Sequence, residues 1–140
     1  MRVKSLMNRD VKTITPEKTI KEAARLMADF GIGSLIVVKN KKLYGIITER
    51  DILTKVVAKG VNTATPVEKI MTKNVIFVSP DIEVEEAIKI MAENKIKKLP
   101  VVSGAVLVGI ISVIDLLKAE PKLIEQVAAL FFLPRRTAAG

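Results

Sequence analysis

Apolar and polar positions follow two periods along this chain, and the same succession of periods occurs twice. Ile20, Ala23, Ala24 and Met27 recur at i, i+3, i+4 and i+7, with Lys, Glu and Arg between them. That spacing predicts an amphipathic helix with one apolar face. Val84, Ala87, Ile88 and Met91 repeat it further on. Thr19 is placed to cap the first helix, with Glu22 three residues later as the partner of a capping box. After each helix come two short β-rich runs, residues 35–38 and 43–47 in the first case and 99–102 and 107–111 in the second, which read as buried strands. Lys39-Asn40-Lys41 and Ser103-Gly104 supply the turns between them. A further helix begins at Thr48 and at Ser112. It carries Ile52, Leu53, Val56 and Val57 in one place and only Leu116 and Leu117 before Pro121 in the other. Ahead of each amphipathic helix lie a short helical turn (residues 3–7 and 67–71) and an extended segment ending at Thr15-Pro16 or Ser79-Pro80. The residue before a proline is pushed out of the helical region.

The two successions are copies of one repeat, offset by 64 residues: Met7 falls on Met71, Pro16 on Pro80, Met27-Ala28 on Met91-Ala92, Gly45-Ile46-Ile47 on Gly109-Ile110-Ile111, and Asp51 on Asp115. No gap is needed from Val3 to Leu53. A repeat this long is a whole supersecondary unit, so two copies suggest a pseudo-symmetric pair rather than a solenoid. The predicted order is β-α-β-β-α, twice, a mixed α/β (α+β) fold. The expected division is a first repeat over 1–60, a linker over 61–66 with turn residues Asn62 and Thr65-Pro66, a second repeat over 67–119, and a C-terminal helix and tail over 120–140. In that last part Leu123, Ile124, Val127, Ala128 and Phe131 fall near helical spacing. Leu130 to Leu133 are expected to pack on the body or across a dimer, Pro134 to end the helix, and residues 135–140 to fray.

Composition narrows the chemistry. About half the residues are apolar (49%), ample for a core, and there is neither cysteine nor histidine. That removes disulfides, thiol chemistry, the commonest general base and the commonest nitrogen metal ligand. Catalysis would rest on Asp, Glu, Lys, Ser or Tyr44. No nucleophile–base arrangement or metal-ligand spacing stands out, so binding without catalysis is the expectation. The first residues lead into no apolar signal run, and no apolar stretch reaches the roughly 18 residues that span a bilayer. A cytoplasmic protein without a transmembrane segment is therefore expected. The net charge of +8 reads as a lysine-rich solvated surface, as a footprint for nucleic acid or an anionic membrane, or as partly serving phosphate-bearing ligands.

The most informative residues are Gly45-Ile46-Ile47-Thr48-Glu49-Arg50-Asp51 and Gly109-Ile110-Ile111-Ser112-Val113-Ile114-Asp115. In both, a glycine and two apolar residues end a strand, a hydroxyl starts a helix, and an aspartate stands three residues on. This is ordinary helix-start chemistry. It is also ligand chemistry: free N–H groups at a helix start suit phosphate, the hydroxyl can donate to oxygen, and a carboxylate accepts the hydroxyls of a ribose. Gly45 and Gly109 would admit close approach of a ligand or another strand.

The repeat order, its length and both Gly-x-x-Thr/Ser-x-x-Asp motifs resemble the cystathionine β-synthase (CBS) domain, two of which in tandem form a pair. Asn94-Lys95-Ile96-Lys97-Lys98-Leu99-Pro100-Val101-Val102 is similar to the family's helix-to-strand junction. The resemblance covers Val3 to about Lys118. It implies two repeats packed sheet-to-sheet about a pseudo-two-fold axis, with clefts for adenosine-containing ligands: AMP, ADP, ATP or S-adenosylmethionine. It further implies that the motif's Asp holds the ribose, its Thr or Ser lies near phosphate, the junction lines the site, the early extended segment lies against the base, and the partner repeat lends the residue before its own Asp. One cleft then has Thr48, Asp51, Gly33-Ser34 and the segment around Ile14, with apolar Ile114 lent. The other has Ser112, Asp115, Lys97, Lys98 and the segment around Val78, with Arg50 lent. Lys97 and Lys98 also read as a solvated helix end.

These residues predict the phosphorylated nucleotide at Asp115 and a less charged adenosyl ligand, or none, at Asp51. Gly33 differs from the polar or basic residue often seen there, and Ile36 from the family's frequent proline. The expected function is a regulatory module that senses adenosyl ligands, forms a homodimer and passes its output to an effector protein. The alternative is a nucleic-acid-binding or scaffold protein, supported by the net charge and Arg135-Arg136. Against that alternative stand few aromatics for base stacking and no long basic run.

Overall fold

A computed structural model describes residues 1–131. The first repeat opens with a 3-10 turn, Val3–Ser5, and continues through β1 (Thr13–Ile14), α1 (Ile20–Phe30), β2 (Ser34–Lys39), β3 (Lys42–Thr48) and α2 (Glu49–Asp51). The last helix runs on as a π-helix, Ile52–Val57. The second repeat has a 3-10 turn at Val67–Lys69, then α3 (Val84–Asn94), β4 (Lys98–Ser103), β5 (Val106–Ser112) and α4 (Val113–Ala119). A 3-10 turn, Pro121–Leu123, leads into α5 (Ile124–Phe131). The fold is mixed α+β, as the periodicity predicts. One element is reduced: the opening strand of the second repeat is a single parallel bridge, Val78 to Val101.

Local chemistry explains the element ends. Thr19 accepts the Glu22 N–H at 3.1 Å and Glu22 accepts the Thr19 N–H at 3.4 Å, the expected capping box. Gly31 ends α1 in the left-handed region, φ 65°. Lys95 ends α3 in the same conformation, φ 55°, at the cost a side chain adds there. β2 and β3 pair antiparallel with Leu35 opposite Ile47. Their turn places both Asn40 and Lys41 at positive φ, the geometry that matches strand twist in a two-residue hairpin. The second helix departs from expectation. Only Val56 of its apolar residues is buried, while Leu53 and Val57 are 63% and 67% exposed. The π-turn, with Ala58 N–H bonded to the Leu53 carbonyl, resets the face that a 3.6-residue period would bury.

Packing divides the chain into two compact units. One comprises Asp10–Ile76 with Val102–Leu107; the other comprises Met1–Arg9, Phe77–Val101 and the chain from Val108 onward. The first core joins Ile20, Leu35, Val37 and Ile47 to Val67, Ile70 and Met71, which belong to the second repeat's sequence. The second core joins Ile88, Met91, Leu99 and Ile111 to Val3. Each repeat thus gives its opening turn to the core built by the other. Two short bridges fix the exchange: Ile46 with Thr72, bonded at 3.0 and 2.9 Å, and Asn8 with Ile110, at 2.8 and 2.9 Å. A Cβ on Gly45 would lie 2.6 Å from Met71 Sδ and 2.8 Å from the Thr72 oxygen; one on Gly109 would lie 2.7 Å from Met7 Sδ. What approaches these glycines within each unit is the exchanged segment.

Leu123 and Val127 are buried in the second core, so the start of the C-terminal helix is packed, while Ile124 is exposed. The packing expected of the side chains from Leu130 to Leu133, the stop at Pro134 and the tail with Arg135-Arg136 lie outside the described residues. No helix among the described residues is long and apolar enough to cross a membrane.

Candidate functional site

Each unit builds its own version of the strand-to-helix motif. In the first-repeat unit Thr48 stands opposite Ser34 at the matching ends of β3 and β2. The Glu49 N–H bonds the Gly33 carbonyl at 2.9 Å, which holds the junction against the helix start. Thr48 Oγ1 accepts the Asp51 N–H at 3.1 Å, and Asp51 Oδ2 accepts the Thr48 N–H at 3.0 Å. This reciprocal cap holds the carboxylate in one orientation. The second-repeat unit repeats the geometry: Ser112 Oγ accepts the Asp115 N–H at 3.0 Å, Asp115 Oδ2 accepts the Ser112 N–H at 3.2 Å, and the Val113 N–H bonds the Lys97 carbonyl at 2.9 Å. In both copies the motif caps its helix. One oxygen of each aspartate, Oδ2, is committed to the helix start.

The charged surroundings differ between the copies. Asp51 is buried, 8% exposed, and Lys55 Nζ lies 3.1 Å from its Oδ1. Asp115 is half-buried, and Ala119 stands where Lys55 stands in the first copy. Among the described residues Asp115, Lys97 and Lys98 form no ion pair. At the junctions the contrast reverses. The Glu49 carboxylate lies so close over Gly33 that a Cβ there would meet its Oε1 at 3.0 Å. The corresponding residues of the second copy are buried Val113, exposed Lys97 and half-buried Lys98. The first motif thus has Glu49 and Lys55 beside its aspartate where the second has Val113 and Ala119, and the second has Lys97-Lys98 at its junction where the first has Gly33-Ser34.

Ile14 and Val78 have their side chains in the two cores, so only their backbone and their neighbours are available to a ligand. Beside β1 a cavity of about 440 Å³ is lined by Thr13, Thr15, Lys18, Arg25 and Leu26 among others. The Thr15 hydroxyl donates to Glu17 at 2.7 Å and holds that carboxyl below its ordinary range, helped by a backbone N–H. A second cavity, about 510 Å³, opens at the junction between Ile32, Gly33, Glu49 and Ile52. Arg50 is exposed in the first-repeat unit, its carbonyl taking the Thr54 hydroxyl at 2.8 Å. Lys55 and Glu49 were not among the expected site residues, although both repeat mismatches, Lys55 against Ala119 and Glu49 against Val113, stand in the sequence.

Comparison with known proteins follows the same two segments: the CBS domain family matches residues 3–58 and 67–122. The chain belongs to the CBS domain family. The CBS domain-containing protein YhcV of Bacillus subtilis is 38% identical over 114 residues, 81% of this chain and 81% of that protein. The inosine-5'-monophosphate dehydrogenase of Korarchaeum cryptofilum is 43% identical over 120 residues, 85% of this chain but only 24% of that enzyme. The likeness therefore concerns the CBS part of a larger enzyme. The CBS domain pair of protein MJ0100, solved in complex with 5'-methylthioadenosine and S-adenosyl-L-methionine, is 31% identical with a TM-score of 0.76, covering 87% of this chain and 97% of that one. CBS pairs are regulatory modules, generally without catalysis of their own.

Proposed function

We propose that this CBS pair is a sensor of adenosine-containing ligands, with a phosphorylated nucleotide held at the Asp115 motif. The observation that carries the reading is the state of charges there. Among the described residues Lys97 and Lys98 lack acidic partners and Asp115 carries no ion pair. Ribose hydroxyls donate to the aspartate, phosphate oxygens accept from the lysines and Ser112, and charge-assisted bonds of this kind are about twice as strong as neutral ones. The Asp51 motif, with Glu49 over Gly33, suits a ligand without phosphate. Arg50, Ile14, Val78, Thr48 and Ser34 keep the roles that the family resemblance implies. The adenosyl ligands bound by MJ0100 support this ligand class.

A ligand shifts such a module only as far as its affinity differs between two conformations, and the output passes to an effector protein. Exposed Leu53 and Val57 supply an apolar surface for a homodimer; a monomer in sedimentation equilibrium at micromolar concentration would remove that part. The ligand reading is tested by calorimetric titration of the full chain with AMP, ATP and S-adenosylmethionine. Asp115→Ala is expected to weaken AMP binding by ~30–150-fold, the equivalent of ~2–3 kcal/mol, and Asp51→Ala to leave it nearly unchanged. If only Asp51→Ala abolishes AMP binding, the sites are reversed; if neither substitution matters, the sites are wrong.

A further inference from the structure

Asp51 is the only charged side chain among the buried described residues, and both its oxygens are engaged within its own unit. Oδ2 takes the Thr48 N–H at 3.0 Å, and Oδ1 takes the Lys55 ammonium at 3.1 Å. The same ammonium donates to the Ile70 carbonyl at 3.0 Å. One cation is thus shared between the motif carboxylate and the exchanged turn of the second repeat. Lys55 lies in the π-helical stretch Ile52–Val57, four residues after Asp51. The second copy has a regular helix, α4, and Ala119 in place of the lysine.

A ribose arrives as two hydroxyl donors, and each carboxylate oxygen has two lone pairs to offer, one of which on Oδ2 is held by the cap in both motifs. At Asp51 one of those oxygens already has a charge-assisted partner, which a neutral hydroxyl does not match in strength. At Asp115 no cation of the described residues competes. We propose that Lys55 is a built-in competitor for the ribose-binding carboxylate of the first repeat, a specificity residue that weakens that site for ribose-bearing ligands. A ligand hydroxyl that takes the place of the ammonium on Oδ1 leaves Lys55 without its carboxylate partner, and the same ammonium bonds the Ile70 carbonyl, so occupancy reaches the group that holds the exchanged turn. The inference rests on the reading of the motif aspartates as ribose acceptors.

The test uses adenosine, because an uncharged probe does not confuse a lost ammonium with a lost phosphate contact. Calorimetry compares the full chain carrying Asp115→Ala with the same chain carrying Lys55→Met in addition; methionine keeps the aliphatic stem. Adenosine binding is expected to tighten by ~2–5-fold, the scale of a partly exposed ion pair, and Asp51→Ala on top is expected to abolish the gain. Lys55→Gln, a second neutral replacement, is expected to act in the same direction. Unchanged or weaker adenosine binding in both Lys55 variants overturns the proposal, as does a gain that survives Asp51→Ala. AMP titrated into Lys55→Met with Asp115 intact separates the two readings. Asp115-dependent AMP binding keeps the sensor reading standing whatever Lys55 does, and binding of no adenosyl ligand by any variant overturns both.

Discussion

Gly45 and Gly109 occupy matching places in β3 and β5, yet their surroundings differ in how far they can yield. A Cβ at Gly45 would meet a backbone oxygen, that of Thr72, at 2.8 Å as well as Met71 Sδ at 2.6 Å. At Gly109 the closest atom is the flexible Met7 Sδ at 2.7 Å, and the Asn8 oxygen is 3.1 Å away. Gly45→Ala is therefore expected to cost about 2–3 kcal/mol and Gly109→Ala about 1 kcal/mol, within the range for overpacking. Urea denaturation of the two variants checks the order; equal losses would contradict it. The glycines, hydroxyls and aspartates of the motif were legible in the sequence because both copies carry them. Lys55 and Glu49 were not, because their importance comes from where they reach. A lysine four residues after an aspartate is common on exposed helices, and only the burial of Asp51 makes that pair count.

At the scale of elements, α1 and α3 follow their apolar period closely, and their ends differ in a way that can be measured. Gly31 adopts φ 65° freely, and a Cβ there would have open space around it. Lys95 holds φ 55° with a side chain. Lys95→Gly relieves that conformation but adds freedom to the unfolded chain, and the net gain expected is about 0.5–1 kcal/mol. Thermal denaturation should show a higher midpoint, and a lower one would mean that the Lys95 side chain contributes more than its backbone costs. The helix that follows Thr48 was the least legible element. Its apolar residues, Ile52, Leu53, Val56 and Val57, satisfy a 3.6-residue period, but the period says nothing of the i to i+5 bonds that turn Leu53 and Val57 outward. The opening strand of the second repeat shows the opposite limit. It holds the same place in the repeat, with Phe77-Val78-Ser79 where the first has Thr13-Ile14-Thr15, but among the described residues it pairs through only one bridge, at Val78. Pairing depends on neighbours and not only on propensity.

At the scale of the whole chain, the repeat in the sequence and the unit in space divide the molecule differently, and that difference has an energetic consequence. Val3 belongs to the first repeat, but it is fully buried among Ile88, Met91, Leu99 and Ile111. Val67 belongs to the second repeat and is fully buried among Ile20, Leu35 and Ile47. Nothing in the pattern of apolar residues separates a turn that packs on its own repeat from one that is exchanged, because both bury the same valine. The exchange makes a directional prediction. Val3→Ala removes two methyl groups from the second core and is expected to cost about 2 kcal/mol, with Val67→Ala similar in the first core. Local opening follows the core that is weakened, so hydrogen exchange should report where each loss falls. Val3→Ala should speed exchange in α3, β4 and β5 and leave α1, β2 and β3 protected, and Val67→Ala should do the reverse. Faster exchange confined to the mutated residue's own repeat would mean that the opening turns are not exchanged. In that case the bond from Lys55 to Ile70 would not tie the first motif to the second repeat's turn.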